Sequence, residues 1–264
     1  MERITSNLIA RLRLLRIAIG RRFIYKDVVE MAREYGIEYR DVIANTEPFE
    51  FVAAVARDAP AGNLDFYELQ RDEASFTIPG LPPEAISEPS VARFVGRLAF
   101  HLNAQTVVEL GSFSGWTSAH IAFALKARAN GGLLYCVDIH DEHLSALRAN
   151  LDRYSLSSYV KVIKGSSLDG NVLARLPSAV DLVFLDTSHT YPATRDELLA
   201  SIPRLSPSGC LVLHDSVSAV GVRRSLAEIP HKLRRFCFAT EAGNGVTVLF
   251  RPTFFTQPLE ERDE

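Results

Sequence analysis

Residues 106–125 read TVVELGSFSGWTSAHIAFAL, and their reading decides the fold. Thr106 to Gly111 is a short apolar run that closes on an acid and a glycine, the pattern of a strand buried in a parallel sheet. Gly111 and Gly115 lack a Cβ, so the backbone between them can take unusual dihedrals and approach a ligand closely, while Ser112 and Ser114 add hydroxyl donors. Beyond Gly115, the apolar residues Ile121, Ala122, Ala124 and Leu125 fit a helix lying on the sheet. A strand, a glycine-punctuated loop and a helix N-terminus together form a cradle for a polar cofactor.

Spacing selects the cofactor. The dinucleotide fingerprint is G-x-G-x-x-G, whereas this chain has E-x-G-x-x-x-G, with Phe113 where a second glycine would admit a pyrophosphate. That argues against NAD. The string from Glu109 to Gly115 instead resembles the first motif of class I S-adenosylmethionine (SAM) methyltransferases. The resemblance implies that the loop passes under the methionine part of SAM and that Glu109 helps to hold it. It assigns Gly111, Ser112, Phe113, Gly115 and Thr117 to the same pocket.

Outward from this stretch, strand and helix patterns alternate. Strands are expected at 133–138, 159–164, 180–186 and 209–214, with helices at about 141–153, 168–175, 192–204 and 219–229. Such alternation demands parallel strands with crossover helices. The end differs: 235–240 and 246–251 are strand-like runs joined by the hairpin signal at 241–245. The fold class expected is α/β, a doubly wound, mostly parallel seven-stranded sheet ending in an antiparallel hairpin. This resembles the methyltransferase core. On the other side, residues 1 to about 100 show helical patterns without strand alternation: helices at about 5–22, 26–35 and 47–57, and a further one at 90–102. The stretch 58–89 carries Pro60, Gly62, Pro79, Gly80, Pro82, Pro83 and Pro89, with Phe66, Tyr67 and Phe76 placed to pack on something; an active-site lid and a plain linker both have this composition. The domain division expected is a helical extension and lid-like loop over 1–89 and a methyltransferase domain over 90–264.

Composition sets bounds. With 264 residues, 47% hydrophobic and 23% charged, the chain reads as one large soluble α/β domain with an appendage. A net charge of −3 offers no global basic field, which speaks against nucleic acid as partner. No apolar run is long enough to span a bilayer, and Cys136, Cys210 and Cys237 sit far apart in apolar runs, as reduced core residues of a cytoplasmic protein do. Near the N-terminus, Arg3, Arg11, Arg13, Arg16, Arg21, Arg22 and Lys26 accompany Leu8, Ile9, Leu12, Leu15 and Ile19 at helical spacing. Such a helix can lie on a membrane surface or act in targeting; the simpler reading packs it on its own domain or a partner subunit, in a homodimer or higher homo-oligomer.

Open α/β sheets bind ligands at the carboxyl ends of their strands. Asp138 ends the second strand, where the family keeps an acid for the ribose hydroxyls, with Ile139 beside it; a helix cap is the structural alternative. Ser167 sits where the family contacts adenine. The fourth and fifth strands end in Asp186-Thr-Ser-His189 and His214-Asp215-Ser216, and adjacency of these strands would bring two carboxylates and two imidazoles together, a set suited to a divalent cation. This pattern resembles cation-dependent O-methyltransferases, both the catechol and caffeoyl-CoA type and the sugar-modifying enzymes of natural-product pathways. The resemblance implies that Asp186 and Asp215 bind the metal, Mg²⁺ or Mn²⁺, and that His189 is the general base. Where catechol-type enzymes carry an amide ligand this chain has Ser216, and where the sugar-modifying group carries a glutamate it has His214, so the third ligand is His214 or Ser216. The activity expected is methyl transfer from SAM to a hydroxyl of a small metabolite, a sugar, an aromatic diol or another natural product. Alternatives are a metal-independent O- or N-methyltransferase of the same fold and a non-catalytic SAM-binding protein.

Overall fold

The computed structural model describes residues 38–40, 64–82, 85–229, 233–238, 240 and 242–251. The helices expected at 5–22, 26–35 and 47–57, and the oligomer contacts assigned to them, lie outside the described residues. In chain order the elements are β1 (Glu38–Arg40), α1 (Tyr67–Arg71), α2 (Pro89–His101), β2 (Thr106–Leu110), α3 (Trp116–Arg128), β3 (Leu133–Asp138) and α4 (Asp141–Arg153). Then follow β4 (Val160–Lys164), α5 (Gly170–Arg175), β5 (Val180–Leu185), α6 (Tyr191–Ser201), β6 (Leu205–Leu213), α7 (Val220–Ala227), β7 (Arg234–Phe238) and β8 (Val246–Phe250).

The strands form one sheet in the order β1-β7-β8-β6-β5-β2-β3-β4. Strands β2 to β6 pair in parallel, while β8 runs antiparallel to both β6 and β7. The seven-stranded, mostly parallel sheet with a terminal hairpin is therefore present. One element corrects the sequence reading: Glu38 to Arg40, in a stretch expected to lack strands, adds an eighth strand parallel to β7. Three residues are too few to show alternation, and only the open edge of β7 recruits them.

Side chains along the central strands alternate between two cores, as the period of two requires. Val107, Leu182, Phe184, Cys210 and Val212 face one core, which Val95 and Leu98 of α2 and Ile121 of α3 complete. Val108, Val183, Leu185, Leu211 and Leu213 face the other, with Leu198 of α6 and Leu226 of α7. Helices on both faces leave these strands no wet side, which is why they read as continuous apolar runs. Each large side chain taken fully out of water contributes about 1.5–3 kcal/mol. Phe66 and Phe76 join the first core, whereas Tyr67 is 64% exposed, so the segment before α2 is packed on the body of the domain through two of its three aromatic residues. The free cysteines Cys136, Cys210 and Cys237 are buried. No helix among the described residues is long and apolar enough to cross a membrane.

Candidate active site

The order of connection reverses at β2, which lies between β3 and β5, and the crevice of an open α/β sheet opens at such a switch point. A cavity of about 500 Å³ occupies that position. Its wall includes Glu109, Gly111, Ser112, Phe113, Thr117, Asp138, Ile139, Ser167, Asp186 and His189 from the expected set, while Gly115, His214, Asp215 and Ser216 lie off it.

The loop from β2 to α3 is folded tightly onto its neighbours. Gly111 has φ +88°, and a Cβ there would lie 1.9 Å from the Asp186 carbonyl oxygen, so glycine alone lets the two strand ends meet. Phe113, at φ 45°, donates its N–H to Asp138 Oδ2 at 2.9 Å. Asp138 Oδ1 accepts from His140 N–H at 2.9 Å and lies 3.1 Å from His143 Nδ1. The N-cap of α4 is His140, with no side-chain cap bond, so Asp138 ties the glycine loop to the β3–α4 turn instead of capping a helix.

Glu109 is 1% exposed, accepts from Ser118 Oγ, and has Cys136 Sγ at 3.4 Å. Burial pushes its carboxyl up to about 8, against these partners. Ser167 Oγ donates to Glu197 Oε1, whose second oxygen accepts from Thr187 Oγ1 at 2.7 Å. Glu197 on α6 lines the cavity and was not foreseen, because its Arg-Asp-Glu context reads as a solvated helix face. Burial raises its carboxyl above the usual range despite the two hydroxyl donors.

The ends of β5 and β6 bring Asp186, His189, His214 and Asp215 together, each offering a donor atom within 4.8 Å of the others. Asp186 Oδ1 lies 3.1 Å from both His189 Nε2 and His214 Nδ1. Asp215 Oδ2 lies 3.3 Å from His189 Nδ1 and 3.6 Å from His214 Nδ1. His189 and Asp215 both hold positive φ, 54° and 53°, a conformation that costs energy in a non-glycine residue and concentrates at functional turns. A Cβ on Gly221 would sit 2.3 Å from the His189 carbonyl oxygen, so a glycine on α7 gives this turn its room. Ser216 is fully buried beside the Cys237 thiol.

Charge in this half is strongly ordered. Burial works to raise the Asp186 carboxyl, but His214 and His189 outweigh it and hold it well below the usual range. Burial works to lower His214, yet Asp186 and Glu88 raise it far above an ordinary imidazole. His189 is likewise raised, by Asp186 and Asp215. The sequence reading did not single out Glu88 or Ser87, both of which contact the cluster from the start of α2.

A glycine loop at the switch point of a mostly parallel sheet that ends in an antiparallel hairpin defines a class I methyltransferase fold. Residues 108–216 match the family model described as a methyltransferase domain. Among curated proteins, a catechol O-methyltransferase of Niastella koreensis is 29% identical over 142 residues, which cover 52% of this chain and 60% of that relative's length. A putative O-methyltransferase from Klebsiella pneumoniae superposes with a TM-score of 0.59 at 18% identity, covering 79% of this chain and 96% of that one. The O-methyltransferase TomG from Streptomyces achromogenes, involved in tomaymycin synthesis and solved with SAM, gives 0.58 at 16% identity, over 77% and 94%. The structural likenesses carry the fold; the domain match and the curated relative place the resemblance with SAM-dependent O-methyltransferases.

Proposed function

We propose that the protein transfers a methyl group from SAM to a hydroxyl of a small metabolite, aided by a divalent cation held by Asp186, Asp215 and His214, with His189 as general base. The observation that carries this reading is the meeting of two carboxylates and two imidazoles beside a cavity of about 500 Å³ at the sheet's switch point. The donor set suits a cation: Asp186 Oδ1 and Asp215 Oδ2 lie 3.1 and 3.6 Å from His214 Nδ1, spaced like neighbours around one ion at about 2.1–2.2 Å, and an imidazole ligand favours Mn²⁺ or another transition metal over Mg²⁺. The cavity suits SAM, since its lining includes the glycine loop, the Asp138 carboxylate for a vicinal diol and Ser167.

SAM supplies a methyl group that is already strongly electrophilic, so the chain's own task is to align the acceptor oxygen and remove its proton. A divalent cation chelated by neighbouring acceptor oxygens lowers the pKa of the hydroxyl and fixes its position. His189 lines the cavity, but both its nitrogens face carboxylates. It can accept a proton only at a nitrogen released by Asp186 or Asp215, so cation binding by those carboxylates and the basicity of His189 are coupled.

One observation favours a second reading, a metal-independent methyltransferase. His214 already contributes positive charge between Asp186 and Glu88, so the cluster is partly self-neutralised. Calorimetry of chelator-treated protein with SAM, with Mg²⁺ or Mn²⁺, and with a catechol-like or sugar diol separates the two. Diol binding only in the presence of metal supports the cation-dependent reading, and activity surviving exhaustive chelation replaces it. His189→Ala should lower turnover by about 10²–10⁴-fold with SAM affinity unchanged; full turnover in that variant would remove the base assignment.

A further inference from the structure

Two consecutive residues at the start of α2, Ser87 and Glu88, each engage one member of the strand-edge cluster, Ser87 from the cavity wall and Glu88 from off it. Glu88 is 8% exposed, and its Oε2 accepts from His214 Nε2 at 2.6 Å across a sequence separation of 126 residues. Its Oε1 accepts from Thr240 Oγ1 at 2.8 Å, and Thr240 Oγ1 in turn accepts from Gly245 N–H at 2.9 Å, so the terminal hairpin anchors the carboxylate. Ser87 Oγ donates to Asp186 Oδ2 at 2.8 Å. In each case the atom engaged is the one turned away from the cluster. His214 is left with Nδ1 facing Asp186 Oδ1 and Asp215 Oδ2, and Asp186 with Oδ1 facing both imidazoles.

We propose that Ser87 and Glu88 are positioning residues for the cation site: Glu88 fixes the ring orientation and the Nε2–H tautomer of His214 so that Nδ1 is the ligand atom, and Ser87 selects Oδ1 of Asp186. The inference rests on the cation-binding reading above. Its physical basis is general, because a ligating histidine is oriented by the acceptor on its other nitrogen, and losing that acceptor typically weakens metal affinity by about 10–100-fold. Helix capping does not account for the geometry. The Glu88 carbonyl accepts from the N–H groups of Val91 and Ala92, but its side chain makes no cap bond, so the carboxylate is free of the helix and committed to His214 and Thr240. Both residues lie before the span 108–216 that matches the methyltransferase domain, which makes them a contribution of this chain's preceding segment to the site.

The test is calorimetric titration of metal-free full-length protein with Mn²⁺, and separately with SAM, for the wild type, Glu88→Ala, Glu88→Gln and Ser87→Ala. Glu88→Ala should bind Mn²⁺ about 10–100-fold more weakly. Glu88→Gln, whose amide oxygen still accepts from Nε2–H, should recover part of that loss, and Ser87→Ala should show a smaller one. SAM affinity should stay within about threefold of the wild type in the folded Glu88 variants, whose side chain lies off the cavity wall, a split that general loosening of the fold would not give. Wild-type Mn²⁺ affinity in Glu88→Ala and Ser87→Ala overturns the proposal alone. If Glu88→Ala fails to fold, unchanged affinity in Ser87→Ala and Glu88→Gln overturns it equally. Absence of Mn²⁺ binding in the wild type instead removes the cation reading, and this proposal with it.

Discussion

Glu109 and Asp186 end neighbouring parallel strands, β2 and β5, joined there by the Asp186 N–H donating to the Leu110 carbonyl at 2.9 Å, yet the two acids are kept in opposite states. Glu109 is 1% exposed and meets hydroxyls and a thiol but no cation, so burial drives it toward the neutral form, with a pKa of about 8. The Asp186 side chain is 17% exposed and meets two imidazoles and a hydroxyl, which hold it ionised. A buried carboxylate without a cationic partner is costly, and taking up a proton is the cheaper solution. The surroundings of Glu109 are thus quiet electrically, while the β5–β6 edge is built from paired charges. What separates them is the partner each acid meets, since position at a strand end is common to both.

The largest expected effect comes from breaking the junction between the halves. Gly111→Ala would drive a Cβ into the Asp186 carbonyl at a φ of +88°, with backbone as the obstacle. A loss of about 4 kcal/mol or more in urea unfolding is expected, at the upper end for single substitutions. A loss below about 1 kcal/mol would mean that the β5 end yields easily and that the two halves are only loosely coupled.

Next in size is the pH dependence of Glu109. Its folded pKa of about 8 stands above an unfolded value near 4.5, so between these values the folded state holds a proton that the unfolded chain has released. Stability from this group therefore falls as pH rises, by about 1.4 kcal/mol per unit, and the loss is complete above about pH 8. Glu109→Gln removes the titration, so its unfolding midpoint should decline less than that of the wild type between pH 6 and 8. Parallel curves would show that Glu109 is ionised in the folded protein and that the contrast with Asp186 is smaller than the geometry indicates. His120, also fully buried, supplies an internal reference of opposite sign: burial lowers it to about 3, so its contribution is lost as pH falls below about 6.5.

Legibility in the sequence divides along the same line. The alternation of apolar runs and helical patterns located the strands β2 to β8 and the hairpin, because strands buried on both faces cannot hide among polar residues. Strand-end residues such as Glu109, Asp138, Asp186 and His214 could be read for the same reason. The three residues of β1 carried no periodicity, and only pairing with β7 defines them. Ser87, Glu88, Glu197, Gly221 and Thr240 were silent too, since their roles depend on partners that the fold alone supplies, such as Glu88 with Thr240 across 152 residues. Glu88 precedes a proline at the start of a helix, where an acid needs no further explanation. Acids therefore could be located from sequence, but their charge states could not.

The finest test concerns a single hydroxyl. Ser118 on α3 donates to Glu109 Oε2, and that bond favours the ionised form, opposing the effect of burial. Ser118→Ala leaves only the Cys136 thiol and Ser112 as offsetting partners, so the Glu109 carboxyl should move further up. The expected cost near neutral pH is about 1 kcal/mol, the worth of one buried hydrogen bond. The diagnostic reading is the shape of the pH curve: the decline in unfolding free energy, which ends near pH 8 in the wild type, should extend to higher pH in Ser118→Ala. If it ends at the same pH, the hydroxyl contributes little to the charge state and burial alone sets it. In that case the contrast with Asp186 comes entirely from the histidines on the other strand.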